Sequence, residues 1–248
     1  MKLLQVIVLG LTIMFSESVC ANNVSQDDIN DTQVQSILLS QDIAAMQKLI
    51  DAGLDINSLD ENGYPMITYT LINNADLKMF RFLVEAGADT NVPATNGLTP
   101  LLLAVAIAPE IQKQTIDTTQ SLPNGDIERE IELARQSQQT KFQLNRAEEI
   151  LKILIEAGAD VNQETPYGTP LMKACSSDWN YNMVNALIKA GAKVNQKDNN
   201  GRTALFYAEA FKAVNVSSLL IKSGADIMVK DNYGKDYLNV LSSELFDE

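Results

Sequence analysis

The sequence feature that most constrains the fold is a ten-residue segment that occurs five times. The copies, here called landmarks, are KLIDAGLDIN (48–57), FLVEAGADTN (82–91), ILIEAGADVN (153–162), ALIKAGAKVN (186–195) and LLIKSGADIM (219–228). In each landmark a leucine lies four residues before the glycine, and Ile or Val lies three before it. A helix can pack such an apolar pair in its last turn and then stop, because glycine tolerates positive φ. Each landmark therefore predicts a helix C-terminus.

A second glycine follows each landmark glycine, with nine residues between the two, and lies inside a polar turn. The turns are DENGYP (60–65), ATNGLTPL (94–101), TPYGTPL (165–171), DNNGRTAL (198–205) and DNYGKDYL (231–238). Thr99 and Thr169 stand directly before prolines, which predicts a threonine N-cap with Pro at the first helical position. Each unit is thus a turn, two short helices and an extended segment. One such unit cannot bury its apolar face alone, so the copies must stack.

This pattern resembles the ankyrin repeat, whose units carry Gly-x-Thr-Pro-Leu-His-x-Ala and, after a second helix, Gly-Ala-Asp-Val-Asn. The first motif is kept most closely at 97–104 and 168–174. The resemblance implies an all-α ankyrin-repeat solenoid of stacked helix-turn-helix units with short β-turn fingers. Leu102, Met172 and Phe206 stand at the motif's histidine position. We therefore expect apolar contacts where the family usually has inter-repeat hydrogen bonds from histidine.

The landmark spacing divides the chain into segments. We expect a signal peptide at 1–21, a flexible segment at 22–30 and one ankyrin-repeat domain at 31–248. The expected repeats are 31–59, which is also the N-terminal cap, 60–93, 94–163, 164–196 and 197–229, followed by a single-helix C-terminal cap at 230–248.

The third repeat is longer than the others. About 38 residues, at roughly 109–145, separate its two helices in addition to the usual length. No Pro or Gly occurs between Asp126 and Gly158, and the segment is rich in helix formers, which predicts a continuous helix of about 30 residues. We expect a helical hairpin with Ile127, Ile131 and Phe142 on one face. Two interpretations stay open: a partner contact or a tolerated surface insertion.

The first residues resemble a secretory signal peptide. Lys2 precedes an apolar run at 3–15, and small residues follow up to Ala21. A run of this length is too short to cross a bilayer, which takes about 20 apolar residues. We expect export to the periplasm with no membrane span in the mature chain. The alternatives are a lipoprotein attached through Cys20, and secretion.

The composition excludes several kinds of chemistry. The chain has no histidine, which removes His-based acid/base catalysis and makes zinc, copper or haem sites improbable. If Cys20 is removed with the signal peptide, Cys175 is the remaining cysteine, and we expect it to be a buried, inert thiol. We find no phosphate-binding loop and no nucleophile paired with a base. The sequence therefore predicts no enzymatic activity and no cofactor.

In ankyrin-like proteins the turn tips and the exposed side of the first helices line a concave face that binds other proteins. Carried onto this chain, the resemblance implies a protein-binding face that includes Asn62, Tyr64, Asn96, Leu98, Tyr167, Asn200, Arg202 and Tyr233. Asp178, Trp179 and Tyr181, between the two helices of the fourth repeat, are further candidates because Trp and Tyr are frequent interface anchors. Trp179 either anchors a partner or covers the core from the side.

The formal net charge is −13. Such a charge disfavours nucleic acid and suits a basic protein partner. We expect a monomeric, non-enzymatic protein-binding module. Resemblance to exported bacterial ankyrin-like proteins implies an immunity protein that neutralises a toxin acting in the periplasm. Two alternatives stay open: an accessory factor for a haem enzyme such as catalase, and a secreted effector that binds host proteins.

Overall fold

The computed structural model describes residues 31–73, 77–108 and 127–234, without the side chains of 127–140 and Trp179. Four predictions lie outside these residues. They are the signal peptide at 1–21, the flexible segment at 22–30, the first arm and turn of the insertion, and the helix of the C-terminal cap.

Within the described ranges the chain consists of helices and turns, with two isolated β-bridges at the turns. The helices follow one another in pairs: α1 (Asp31–Ser40) and α2 (Ile43–Asp51), α3 (Met66–Ile72) and α4 (Leu77–Glu85), α5 (100–108) and α6 (Ile127–Glu156), α7 (Pro170–Ala174) and α8 (Tyr181–Lys189), α9 (Ala204–Ala210) and α10 (Val214–Lys222). The second helices α4, α6, α8 and α10 each contact the next one, and the first helices α7 and α9 contact each other. The predicted all-α solenoid of helix-turn-helix units is confirmed.

The predicted helix starts are confirmed where threonine precedes proline. The Thr169 hydroxyl accepts a hydrogen bond from the Met172 backbone N–H at 3.3 Å, and Pro170 occupies the first turn of α7. The Thr99 hydroxyl accepts one from the Leu102 N–H at 3.2 Å in the same way. These bonds satisfy N–H groups that a helix N-terminus otherwise leaves without a partner.

The landmark glycines end the second helices as predicted. All five have φ between 88° and 99°. At Gly87 the chain forms the two bonds of a Schellman motif: its own N–H donates to the Val84 carbonyl, and the Ala88 N–H donates to the Leu83 carbonyl at 2.9 Å. The Leu83 and Val84 carbonyls at the end of this helix therefore each accept a hydrogen bond, and the chain turns sharply towards the next repeat.

The polar turns, here called fingers, pack directly on one another. Those of repeats two to five are residues 60–64, 94–98, 165–168 and 198–202, and a sixth is 231–234. A Cβ added to Gly63 would overlap the Thr95 hydroxyl oxygen, and one added to Gly201 would lie 2.5 Å from the Asn232 side-chain oxygen. These glycines are needed for space as well as for positive φ. Four landmark glycines have nothing within 4 Å of an added Cβ: Gly87, Gly158, Gly191 and Gly224.

An asparagine at the end of four landmarks ties each repeat to the next. Its side-chain oxygen accepts a hydrogen bond from a backbone N–H of the following landmark. The bonds are Asp89 N–H to Asn57 (2.8 Å), Asp160 N–H to Asn91 (2.7 Å), Lys193 N–H to Asn162 (2.7 Å) and Asp226 N–H to Asn195 (2.8 Å). In three of these asparagines the amide group also donates to the carbonyl of the next landmark glycine. We call this row the asparagine ladder.

The insertion leaves the asparagine ladder intact. Asn91 and Asp160 are 69 residues apart in sequence, yet they form the same bond as residues 31 or 32 apart elsewhere. Helix α6 has 30 residues, which confirms the predicted long helix. The added residues from 127 onward therefore extend the second helix of repeat three without displacing the stack.

The core runs between the helix pairs and is mostly aliphatic. At the family's histidine position Leu102 and Met172 are 1% and 3% exposed, which confirms apolar packing there. Phe206 is half-buried, and the Arg202 guanidinium lies 4.9 Å above its ring centre. Cys175 is fully buried, and burial raises the pKa of its thiol well above the ordinary value. The thiol is therefore protonated and inert in the folded chain.

Two glycine substitutions should separate the cost of positive φ from the cost of a steric clash with the next finger. Gly224→Ala should destabilise the fold by about 1–2 kcal/mol, the cost of a left-handed non-glycine residue. Gly201→Ala should cost roughly 1–3 kcal/mol more, because Asn232 must also move. Urea unfolding of both variants measures the difference. Equal losses would show that finger packing does not constrain Gly201.

Candidate functional site

The fingers of repeats two and three form a continuous surface. The Thr95 N–H donates to the Gly63 carbonyl at 2.9 Å, so the second and third fingers are bonded backbone to backbone. In finger two the Asp60 carboxylate accepts hydrogen bonds from the N–H groups of Asn62 and Tyr64. The fifth and sixth fingers pair in the same way, through the Asn232 N–H and the Asn200 carbonyl at 2.9 Å. Their tips are thus held by internal bonds before any partner arrives.

The predicted tip residues differ in how freely they face solvent. Asn62, Asn96 and Asn200 are exposed. Tyr64 and Leu98 are half-buried, and the Tyr64 hydroxyl accepts a hydrogen bond from the Asn96 amide at 3.3 Å. Polar side chains and partly covered apolar ones therefore alternate along the first two tips.

Tyr167 and Tyr233 are the most exposed aromatic side chains of the described fingers, at 55% and 72%. Each stands one residue before the finger glycine, at the outermost point of the turn. Both tyrosines have a large surface available to a partner.

The row of fingers is interrupted at repeat four. Pro166 stands at the position of Thr95 and Asn232, whose N–H groups bond the neighbouring finger. Proline has no N–H, so this bond cannot form. The Pro166 ring instead packs over Gly97. The fourth finger is also one residue shorter, closing with a bridge between Thr165 and Gly168. The proline was visible in the sequence, but its effect depends on which neighbouring group it faces.

Arg202 is held in a polar network rather than left free. Its guanidinium Nε lies 3.5 Å from a carboxylate oxygen of Asp231 in the next finger, and its plane covers Phe206. The Tyr207 hydroxyl donates to Asp198 at 2.6 Å. The network ties the fifth finger to helix α9 and to the sixth finger.

The network shifts the pKa values of two of its members. Partial burial disfavours the charged Asp198 carboxylate, but the hydrogen bonds from Tyr207 and from the backbone of Arg202 and Asn200 outweigh it, so the pKa of Asp198 is lowered. Burial and the hydrogen bond to Asp198 raise the pKa of Tyr207 to about 12. Both shifts favour a neutral phenol beside an ionised carboxylate.

Asp178 has a structural task that the sequence analysis missed. One carboxylate oxygen accepts a hydrogen bond from the Val216 N–H at 3.0 Å, and the other accepts one from the Asn215 amide at 3.0 Å. Val216 lies in the first turn of α10, so Asp178 caps a helix of the next repeat. Tyr181, at the start of α8, is 41% exposed. The Trp179 side chain lies outside the described residues.

These residues do not adjoin the fingers. The Asp178–Tyr181 turn lies at the opposite end of helix α7 from the fourth finger. The structure therefore separates the predicted binding residues into two groups, the finger tips and the turn between the helices of repeat four.

The insertion adds a projecting arm near that turn. The Glu148 carboxylate accepts a hydrogen bond from Asn182, the second residue of α8. Leu144 and Ala147 still pack against the core, so residues 127–143 of α6 extend beyond the packed part. That length is about 26 Å at about 1.5 Å per residue. On this arm Phe142 is 62% exposed. The side chains of Ile127 and Ile131 lie outside the described residues, so the apolar face stays a prediction.

Among the described residues no group of three or more Asp, Glu or Cys side chains could hold a metal ion. Nor does that part of the chain contain a helix long and apolar enough to cross a membrane. The arrangement presents tyrosines, amides and a paired guanidinium on a stacked scaffold, which suits contact with another macromolecule.

Comparisons with known proteins agree with this geometry. Residues 142–231 match the family described as ankyrin repeats, in three copies. A putative ankyrin repeat protein of Borreliella burgdorferi is 33% identical over 67 residues, which are 27% of this chain and 30% of that protein. The putative ankyrin repeat protein FPV222 of Fowlpox virus is 28% identical over 150 residues, which are 60% of this chain. They are only 19% of the viral protein.

Residues 142–231 therefore consist of ankyrin repeats. Repeats of this family generally act as non-enzymatic modules for protein–protein interaction. The match falls on repeats three to five, and the landmarks at 48–57 and 82–91 extend the same unit towards the N-terminus.

Tyr207→Phe should lower the free energy of unfolding by about 2 kcal/mol at neutral pH, because a hydrogen bond to a carboxylate is lost. The tyrosine pKa is raised from 10 to about 12 on folding. Its contribution is therefore complete below about pH 10 and is lost as the pH rises through 12. Urea unfolding of the two proteins from pH 7 to 12 should show stabilities that converge. A constant difference would contradict the role of the hydroxyl.

Proposed function

We propose that this protein is exported to the cell envelope and binds a basic partner protein through its finger tips and the adjoining first helices. In this proposal it acts as an immunity protein that masks a toxin acting in the periplasm. The signal-like sequence at 1–21 and the net charge of −13 support the location and the charge of the partner. The step from binding to immunity rests on resemblance to exported bacterial ankyrin-like proteins.

The observation that carries the binding proposal is the exposure of Tyr167 and Tyr233 on fingers fixed by backbone bonds. Tyrosine offers a large contact area with little side-chain entropy to lose. The scaffold is already ordered by the asparagine ladder, so binding needs little further ordering. A partner docking across the row would meet aromatic tips with polar asparagines beside them.

Removing the two tips should weaken binding. Tyr167→Ala with Tyr233→Ala should reduce affinity for the partner at least about tenfold, since interface tyrosines often contribute 2 kcal/mol or more. The partner is first isolated by pull-down from envelope proteins with the mature chain. Ser218→Ala, an exposed change on helix α10, is the control. If the double variant binds as tightly as the control, the finger tips are not the binding face.

The immunity proposal has its own test in cells. A strain lacking the gene should die when challenged with the toxin that the pull-down identifies, and the wild-type gene should restore survival. The Tyr167→Ala, Tyr233→Ala gene should restore it poorly, while Ser218→Ala should restore it fully. Unaltered survival of the deletion strain would remove the immunity proposal and leave a binding protein with another purpose.

A further inference from the structure

A cavity of about 220 Å³ opens where helix α1 faces helix α3, beside the second finger. Its base is apolar and is formed partly by Val34, Leu38 and Met66, all nearly buried. An apolar base of this kind can cover the methylene stem of a long side chain while its polar end lies elsewhere. The cavity therefore has room for a ligand that is partly aliphatic.

The polar wall of the cavity has one sign of charge. Asp31, Asp55 and Asp60 line it, and no Lys or Arg occurs among its lining residues. Tyr64 and Tyr69 also line it and supply aromatic rings of the kind that attract cations. Acidic groups, aromatic rings and an apolar base together favour a guanidinium on an aliphatic stem over an anion or a purely apolar group.

One oxygen in this wall lacks a donor. Asp60 Oδ1 accepts hydrogen bonds from the Asn62 and Tyr64 N–H groups, but Asp60 Oδ2 is buried and has no hydrogen-bond partner. Leaving a buried carboxylate oxygen unpaired is unfavourable. A donor in the cavity would supply the missing bond once the wall moved enough to expose this oxygen.

The fifth repeat shows what satisfies the same position elsewhere in the chain. Asp198 corresponds to Asp60, and Tyr207 lies nine residues after it, as Tyr69 does after Asp60. In repeat five the tyrosine donates to the carboxylate at 2.6 Å, and the Arg202 guanidinium lies near enough to that tyrosine to act on its pKa. In repeat two the residue at the place of Arg202 is Tyr64, so that repeat supplies no guanidinium of its own.

We infer that the cavity beside Asp60 receives an arginine side chain of the partner protein. This inference rests on the proposed binding of a basic protein and names one contact within it. The segment directly before helix α1, residues 22–30, contains Asp27 and Asp28 and no Lys or Arg. Neither the described lining residues nor this segment therefore supplies a cation, and an outside arginine would place a guanidinium beside this tyrosine and carboxylate, as Arg202 does in repeat five.

The probe for this site is the peptide acetyl-Gly-Arg-Gly-amide, with the citrulline peptide as an uncharged analogue of the same shape. Titration into the isotope-labelled protein should shift the backbone N–H signals of Asn62 and Tyr64, which are bonded to Asp60. The citrulline peptide should bind at least about tenfold more weakly, because it lacks the charge. Equal binding of the two peptides, or shifts confined to other repeats, would overturn the inference.

A matched pair of variants tests the role of the carboxylate. Asp60→Asn keeps an oxygen for the two backbone bonds and removes the charge, and it should abolish arginine-peptide binding. Asp89→Asn removes the same charge from an exposed aspartate that also accepts a local backbone bond, and it should bind as wild type does. Thermal unfolding checks that both variants fold. Wild-type binding by a folded Asp60→Asn, or equal losses in both variants, would contradict the site.

The peptide assay separates this inference from the proposed function. It needs no natural partner, so peptide binding that depends on Asp60 supports the site even if the pull-down fails. If a partner is found and Asp60→Asn binds it and the arginine peptide as wild type does, the site is wrong while the proposed function stands.

Discussion

The asparagine ladder is the interaction on which the rest of this structure depends. In each link a side-chain oxygen replaces water as the partner of a backbone N–H that follows a helix-ending glycine, for example the N–H of Asp160. An unpaired N–H at that place would be costly in the tightly turned chain. The asparagine belongs to one repeat and the N–H to the next. The N–H therefore gains its hydrogen-bond partner only when the two repeats stack. The ladder ends at Met228, which stands where a further asparagine would continue it.

A stack fixed in this way allows variation at its edges. The ladder passes unchanged across about 38 additional residues in repeat three, so α6 projects without altering the spacing between repeats. The fingers are equally fixed where their backbones pair, but Pro166 removes one such bond and leaves Tyr167 beside a shortened turn. Tyr167 thus lies on a finger without the repeating bond and Tyr233 on a finger that has it, and both side chains are exposed.

Much of the fold could be predicted because its determinants are local. A glycine after an apolar turn ends a helix wherever it occurs, and a threonine before a proline starts one, so Gly87 and Thr169 behaved as predicted. The contacts between repeats were harder. Asparagine was visible in every landmark but one, yet its role depends on a backbone group about 32 residues away. The sequence shows that such a residue recurs, and only the stacked geometry shows what it bonds.

The candidate site was less predictable for the same reason. Tyr167 and Tyr233 are exposed, as tip residues should be. Asp178 was predicted to face a partner, but its carboxylate is occupied by the helix of the next repeat. A short polar side chain can either face a partner or form a hydrogen bond within the fold. Which of the two it does depends on a neighbour that is distant in sequence. The unpaired oxygen of Asp60 likewise becomes apparent only when its surroundings are known.

Native-state hydrogen exchange of the ladder amides tests the central claim most directly. If the ladder holds the stack, the N–H groups of Asp160 and Lys193 should open with a free energy close to that of global unfolding, despite lying in exposed loops. Other loop amides that donate to no protein group should exchange far faster. Exchange of the Asp160 and Lys193 amides near the rate of an unprotected peptide would contradict the account.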